Sequence, residues 1–393
     1  MKINSKVVKQ VIGILILVGL AIGMVPLAKV SAVIPEYDRW YKVSDFHFRD
    51  IEFDPQDPQL IYAGISGTNK ENRGIYASYD GGDTWSLFAL EDYSILDIAI
   101  DPTNPNIMYA AAGDLGADYG VLKTTDRGKT WRLMNTGFRD CPGGTCRIHT
   151  LAINPVNPNE VFAGFWSIFK STNGGETWDL VCGDNTYFKP IIIDPKNPQI
   201  MYAGSDRGGG VYKSTNGGNT WNKASEGLDR SDLHIYGLAI DPNNTQILYV
   251  STPKGLYKTT NGAQSWTKLP LPGDESHLGS IVDIAIDPKN STVYISSIYG
   301  LAVQKSIDGG YTWVPLHNGL TWYDTYLIKV NPHDTRVLFV DVTRSSNGMH
   351  KMIQSAGAPN YPATNLVAYP GNNKVALEWK APADTSNVTG YYV

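Results

Sequence analysis

The stretch SYDGGDTW, Ser78 to Trp85, sets two aspartates among glycines beside hydroxyl groups and a tryptophan. Such residues could form an acid–base pair, a calcium loop, or a turn whose side chains bind the backbone. Five more copies follow: TTDRGKTW, STNGGETW, STNGGNTW, TTNGAQSW and SIDGGYTW. The aligned acceptors are Asp80, Asp126, Asn173, Asn216, Asn261 and Asp308, and the motifs end on Trp85, Trp131, Trp178, Trp221, Trp266 and Trp313. Asparagine stands in three of the six copies. It keeps the acceptor oxygen and loses the charge and the titratable proton, which an acid, a nucleophile or a calcium cage requires. The motif therefore reads as structural, and neither a metal nor a cofactor is expected.

The turns need elements to hold them, and a second series supplies these. IEFDPQDPQLIYAG, IAIDPTNPNIMYAA, LAINPVNPNEVFAG, IIIDPKNPQIMYAG, LAIDPNNTQILYVS, IAIDPKNSTVYISS and IKVNPHDTRVLFVD centre on Asp54, Asp101, Asn154, Asp194, Asp241, Asp287 and Asn331. Each is an apolar or alternating run, a Pro- and Asn-rich turn and a second run, which predicts a β-hairpin. A shorter strand, the glycine turn and a strand opening on tryptophan complete each repeat. Four antiparallel strands recurring every 40 to 53 residues describe an all-β propeller. Seven hairpins face only six tryptophan turns. Trp40 precedes Asp54 by 14 residues, much as Trp85 precedes Asp101 by 16. Residues 40–43 are therefore expected as the outer strand of the last blade, closing a seven-bladed ring against TYLIKV, VLFVDV and HKMIQS.

The chain has 393 residues and a formal charge of −5. MKINSKVVKQ followed by an apolar run and KVSA reads as an export signal over residues 1–32. Removing its four lysines would leave −9, the wrong sign for a nucleic-acid partner. The mature protein is expected to be secreted or at the cell surface, with no membrane span after cleavage. Cys141 and Cys146 flank a turn that a disulfide could close, leaving Cys182 over.

With these motifs in place, the chain resembles the BNR or Asp-box propellers, which include sialidases, family 74 glycoside hydrolases, sortilin-type receptors and photosystem-assembly propellers. The phrasing DPxNPxxxYAG followed by VYKSTNGGxTW is most similar to the family 74 and sortilin-type branches. The resemblance implies a propeller over residues 33–356 and leaves activity open, because the motif is shared across functions. Family 74 enzymes carry a base in a Thr-Asp-Val-Gly-Gly-like segment where this chain has GISGTN, Gly64 to Asn69. No sialidase Arg-Ile-Pro segment is present either. Residues 357–393 resemble the opening of a fibronectin type III domain that stops short, so the chain reads as part of a longer extracellular protein.

Strand alternation puts the DPxNP turns and the tryptophan turns on one face. The opposite face carries the more variable connections and is the expected ligand face. Its binding candidates are Arg49, Tyr119, Trp166, Tyr187, Arg207, Tyr236, Tyr299, Trp322 and Tyr323, with His47, Asp92, Tyr93, Asp114, Asp118, Arg139, Asp140, Asp206, Arg230 and His234 alongside. Aromatic faces beside carboxylates suit sugars. The leading expectation is a binding module for glycan. A glycoside hydrolase, with a carboxylate pair such as Asp50 and Asp324, and a receptor or assembly factor for a protein partner are the alternatives.

Overall fold

The computed structural model describes residues 37–67, 72–113, 120–138, 147–183, 186–230, 233–272, 280–298, 300–320, 324–343 and 348–355, and the backbone of two later strands. Seven four-stranded antiparallel sheets form the blades. Their innermost strands are Phe48–Phe53, Ile95–Ile100, Thr150–Ile153, Phe188–Ile193, Gly237–Ile240, Ile281–Ile286 and Thr325–Val330. In the seventh blade Tyr41–Lys42 pairs antiparallel with Gly348–Ile353, with Tyr41 opposite Lys351. The chain thus begins and ends its ring in one sheet, which leaves no open sheet-to-sheet gap.

The core lies between blades, so the second and third strands are buried on both faces. Ile61–Ile65 and Gly74–Ser78 are buried at every position, whereas the outer strand Arg132–Leu133 is exposed throughout. One apolar cluster joins Ala99, Tyr109 and Val121 of the second blade to Leu151, Val161 and Trp178 of the third. Close approach explains the glycine of the Tyr-Ala-Gly and Phe-Ala-Gly strand ends. A Cβ on Gly164 would stand 2.9 Å from the Phe188 carbonyl oxygen of the next inner strand.

The tryptophan turns are closed by their own side chains. In the first, Gly82 N–H donates to Ser78 Oγ at 2.7 Å, Thr84 N–H to Asp80 Oδ1 at 2.9 Å, and Thr84 Oγ1 to Asp80 Oδ2 at 2.6 Å. Where asparagine replaces aspartate, the last bond keeps its place and reverses direction: Asn173 Nδ2 donates to Thr177 Oγ1 at 2.9 Å. This is the physical reason the two residues interchange. Hydrogen bonds from Thr130 hold the Asp126 carboxyl down at about 2, so it remains an acceptor across the physiological range.

Each turn is also gripped by the preceding blade. Tyr202 Oη and Lys213 Nζ both donate to the Gly262 carbonyl, at 3.3 and 2.7 Å. Tyr109 with Lys123 holds Gly174 in the same way, and Tyr249 with Lys258 holds Gly309. The seventh blade lacks such a turn, and there Lys305 donates to Gln354 Oε1 instead, at 2.6 Å.

Beyond the ring, Thr364–Gly371 and Lys374–Lys380 form an antiparallel hairpin in which Ala368 faces Leu377. The expected signal segment, Cys141 and Cys146 lie outside the described residues. Among the described residues no helix is long and apolar enough to cross a membrane.

Candidate functional site

Seven inner strands converge on the ring axis and start at the face opposite the tryptophan turns. There they enclose a cavity of about 680 Å³ lined by His47, Arg49, Asp50, Asp97, His149, Lys189, Tyr236, Asp283, Tyr326, Lys329 and Asp341, among others. A β-bulge interrupts the inner strand of the first, second and sixth blades beside Asp50, Asp97 and Asp283. The bulge releases each carboxylate toward the next blade. Asp50 Oδ2 accepts the Ile98 N–H at 3.1 Å, Asp97 Oδ2 the Leu151 N–H at 2.7 Å, and Asp283 Oδ2 the Ile328 N–H at 3.0 Å. These bonds tie consecutive inner strands around the axis.

Lys329 sets one positive charge against these acids, its Nζ lying 2.8 Å from Asp50 and 3.9 Å from Glu52. Burial alone would lower its affinity for a proton, but Asp50 and Glu52 outweigh burial and raise it. Burial pushes the Asp97 carboxyl well up, and the charge of Asp50 adds to the effect. Burial likewise raises Glu52, against the pull of Lys329. Asp283 is pushed up to about 6 by burial, with the Ile328 amide opposing. At the mouth, His47 Nδ1 lies 3.2 Å from Asp341 Oδ1, a contact that raises the imidazole. Asp50, Asp97 and Asp283 thus each spend one oxygen on an amide of the next blade, and Asp50 also meets Lys329, while Arg49 and Tyr326 are exposed at the rim.

A second recess of about 210 Å³ adjoins the cavity and shares His149 and Lys189 with it. It is built from the third and fourth blades. Here three candidates distant in sequence meet: the Arg207 guanidinium carbon lies 3.8 Å from the Tyr187 ring centre and 4.8 Å from that of Trp166. The two rings are 4.2 Å apart. Phe165, buried beneath, meets Tyr187 edge-on at 4.8 Å and stacks on His149 at 4.9 Å. His234 Nδ1 lies 2.7 Å from the Asp206 carbonyl oxygen.

The other candidates are placed differently. Arg49, Asp50 and Tyr236 line the axial cavity; Asp324 does not. Arg230 lines an open groove of about 1080 Å³ on the outer rim, between the outer strands of the fourth and fifth blades. Tyr93 closes a turn on the Leu90 carbonyl between the first and second blades. Asp114, Asp118, Tyr119, Arg139, Asp140, Tyr299, Trp322 and Tyr323 lie outside the described residues. Sequence reasoning passed over Glu52, Asp97, His149, Lys189, Asp283, Lys329 and Asp341. A signal existed for two of them: LDIAI and VDIAI set an acid inside an apolar inner strand, as RDIEF does.

No protein-family model and no curated protein matches the chain. Solved structures do. A family 74 glycoside hydrolase from Niastella koreensis superposes with a TM-score of 0.62 at 21% identity, over 86% of this chain and 60% of that one. YCF48 from Cyanidioschyzon merolae gives 0.60 at 17% identity, over 80% and 98%. PorZ, a surface component of the type IX secretion system of Porphyromonas gingivalis, gives 0.59 at 16%, over 82% and 49%. The chain spans about three fifths of the length of two family 74 enzymes it matches. At such identities what is shared is the fold, and the chain is a seven-bladed β-propeller of that architecture.

Proposed function

We propose that this protein is a binding module working outside the cytoplasm, which recognises carbohydrate at the axial cavity opposite the tryptophan turns. In this reading residues 1–32 export the chain, 33–356 bind, and 357–393 begin a fibronectin-type spacer. The observation that carries it is the state of the carboxylates in an otherwise open, tyrosine-lined cavity. Glycoside hydrolysis needs two carboxyl groups facing the scissile bond about 5–10 Å apart, one of them free to pass a proton. Asp50 is held by Lys329 and the Ile98 amide, and Asp324 is not in the cavity wall. Asp97 and Asp283, whose carboxyls burial pushes up, each spend one oxygen on the amide of the next inner strand. The exposed Arg49 and Tyr326 offer a ligand hydrogen-bonding edges and a ring, which suit binding. The surface role of PorZ and the extracellular domain among the matching structures support the location.

A peptide partner is the second reading. It is favoured by YCF48, which this chain covers almost end to end and which has been seen with a D1 peptide. The test incubates the full chain with plant and microbial polysaccharides, scoring retained protein and released reducing ends. Retention without release, weakened by Tyr236→Ala, supports the module. Release of reducing ends would restore the hydrolase, and retention on no glycan would favour the peptide reading.

A further inference from the structure

Arg207 has an arrangement that packing alone does not require. Arg127, Arg132 and Arg336 are each paired with a carboxylate, on Asp54, Glu176 and Asp334. Arg207 is exposed, and none of the salt bridges or side-chain hydrogen bonds among the described residues involves its guanidinium. The adjacent Asp206 sits 3.7 Å from Lys189 instead. Among its described lining residues the recess thus holds two cations, Lys189 and Arg207, to one carboxylate, Asp206, in a protein whose formal charge is −5.

The guanidinium is nevertheless held in place. It lies on Tyr187 and Trp166, which rest on Phe165. Its backbone belongs to a tight turn: Asp206 N–H donates to the Tyr187 carbonyl at 2.8 Å, and Gly209 N–H donates to Ser205 Oγ at 3.1 Å. A Cβ on Gly209 would meet Ser205 Oγ at 2.6 Å, so this turn admits no side chain there without rearrangement. Stacking occupies the flat face of a guanidinium and leaves its in-plane N–H fork free, the geometry that matches a carboxylate with two parallel bonds.

We infer that the recess formed by Arg207, Lys189, His149 and Tyr187 is a carboxylate-binding subsite beside the axial cavity, and that the glycan recognised bears uronic-acid groups. The inference rests on the carbohydrate reading above. Because the recess and the cavity share His149 and Lys189, a sugar seated at the cavity mouth can place a carboxylate against Arg207. Asp206 also lines the recess, its carboxylate 3.7 Å from the Lys189 ammonium.

The test measures retention of the full chain on polygalacturonate, on the same polymer after carboxyl reduction, and on xyloglucan, with poly-glutamate as an acidic non-sugar control. Arg207→Ala, checked for an unchanged melting temperature, should weaken binding to polygalacturonate about tenfold, the loss of one charge-assisted pair. Arg207→Lys should not restore it, because an ammonium has neither the fork nor the stack. Equal binding to the native and carboxyl-reduced polymers, or an unchanged Arg207→Ala, overturns the subsite and leaves the glycan reading standing. Binding to poly-glutamate with no polysaccharide retained overturns the glycan reading and, with it, the uronic-acid assignment.

Discussion

Two tryptophans at the same motif position should differ sharply when removed. Trp178 is 2% exposed and reaches across a blade seam, its Nε1 donating to the Met134 carbonyl at 2.7 Å. Its ring stacks on Phe138 at 5.0 Å with planes 20° apart. Trp221 is half-buried and donates to the Gly218 carbonyl of its own turn at 3.1 Å. Trp178→Ala should cost about 3–5 kcal/mol for the lost ring, and about 1 kcal/mol or more for the stranded carbonyl. Trp221→Ala removes a smaller buried area and a local bond, so about 2 kcal/mol is expected. Urea unfolding followed by far-UV circular dichroism reads the difference as a shift in midpoint. Trp178→Phe keeps the stack and strands the carbonyl, so it should fall between wild type and Trp178→Ala. If Trp221→Ala lowered the midpoint as much as Trp178→Ala, the seam-crossing bond would not be what distinguishes them.

Three further outcomes are expected. Gly137 has φ +101° and a Cβ there would lie 2.2 Å from the Trp178 carbonyl oxygen, whereas Gly208, at φ +78°, has open space; Gly137→Ala should lower the urea midpoint far more than Gly208→Ala, whose cost is about 1–2 kcal/mol of left-handed strain. Lys305 is pulled down to about 8 by burial, so the unfolded chain holds more protons and stability should rise with pH between about 8 and 10.5. Lys305→Met should flatten that rise in melting temperature, and an unchanged slope would refute the assignment. Deleting residues 37–43 removes the strand paired to Gly348–Ile353 and the buried Trp40, whose Nε1 donates to the Leu316 carbonyl at 2.7 Å. That deletion should lower the melting temperature far more than deleting residues 364–393, and equal melting would argue against ring closure as a stabilising device.

Much of this architecture was legible because its signals are local. The DPxNP turns carry Asn and Pro where a hairpin must reverse, and Asp54 indeed accepts the amides of Gln56 and Asp57, at 2.9 and 3.0 Å. The interchange of Asp80 with Asn173 marked a turn acceptor rather than an acid, and the two make equivalent bonds of opposite polarity. The axial carboxylates were harder to read. Asp97 looks like a lapse in an apolar strand until the bulge beside it turns the side chain toward the Leu151 amide of the next blade. Nothing in LDIAI announces that partner, which lies 54 residues away.

By itself the sequence determined the repeat, the blade count and the face on which variable loops collect, since each follows from alternation and turn chemistry within a single blade. Which loop residues meet was decided by the stacking of blades around the axis. Trp166, Tyr187 and Arg207 come from separate loops and converge because the third and fourth blades seat their loops side by side. The same holds for Trp178 and Trp221, alike in motif: one crosses its seam to Met134 and the other turns back to Gly218. The seam on which each tryptophan rests is built by a neighbouring blade, and its shape is written nowhere in the tryptophan's own repeat.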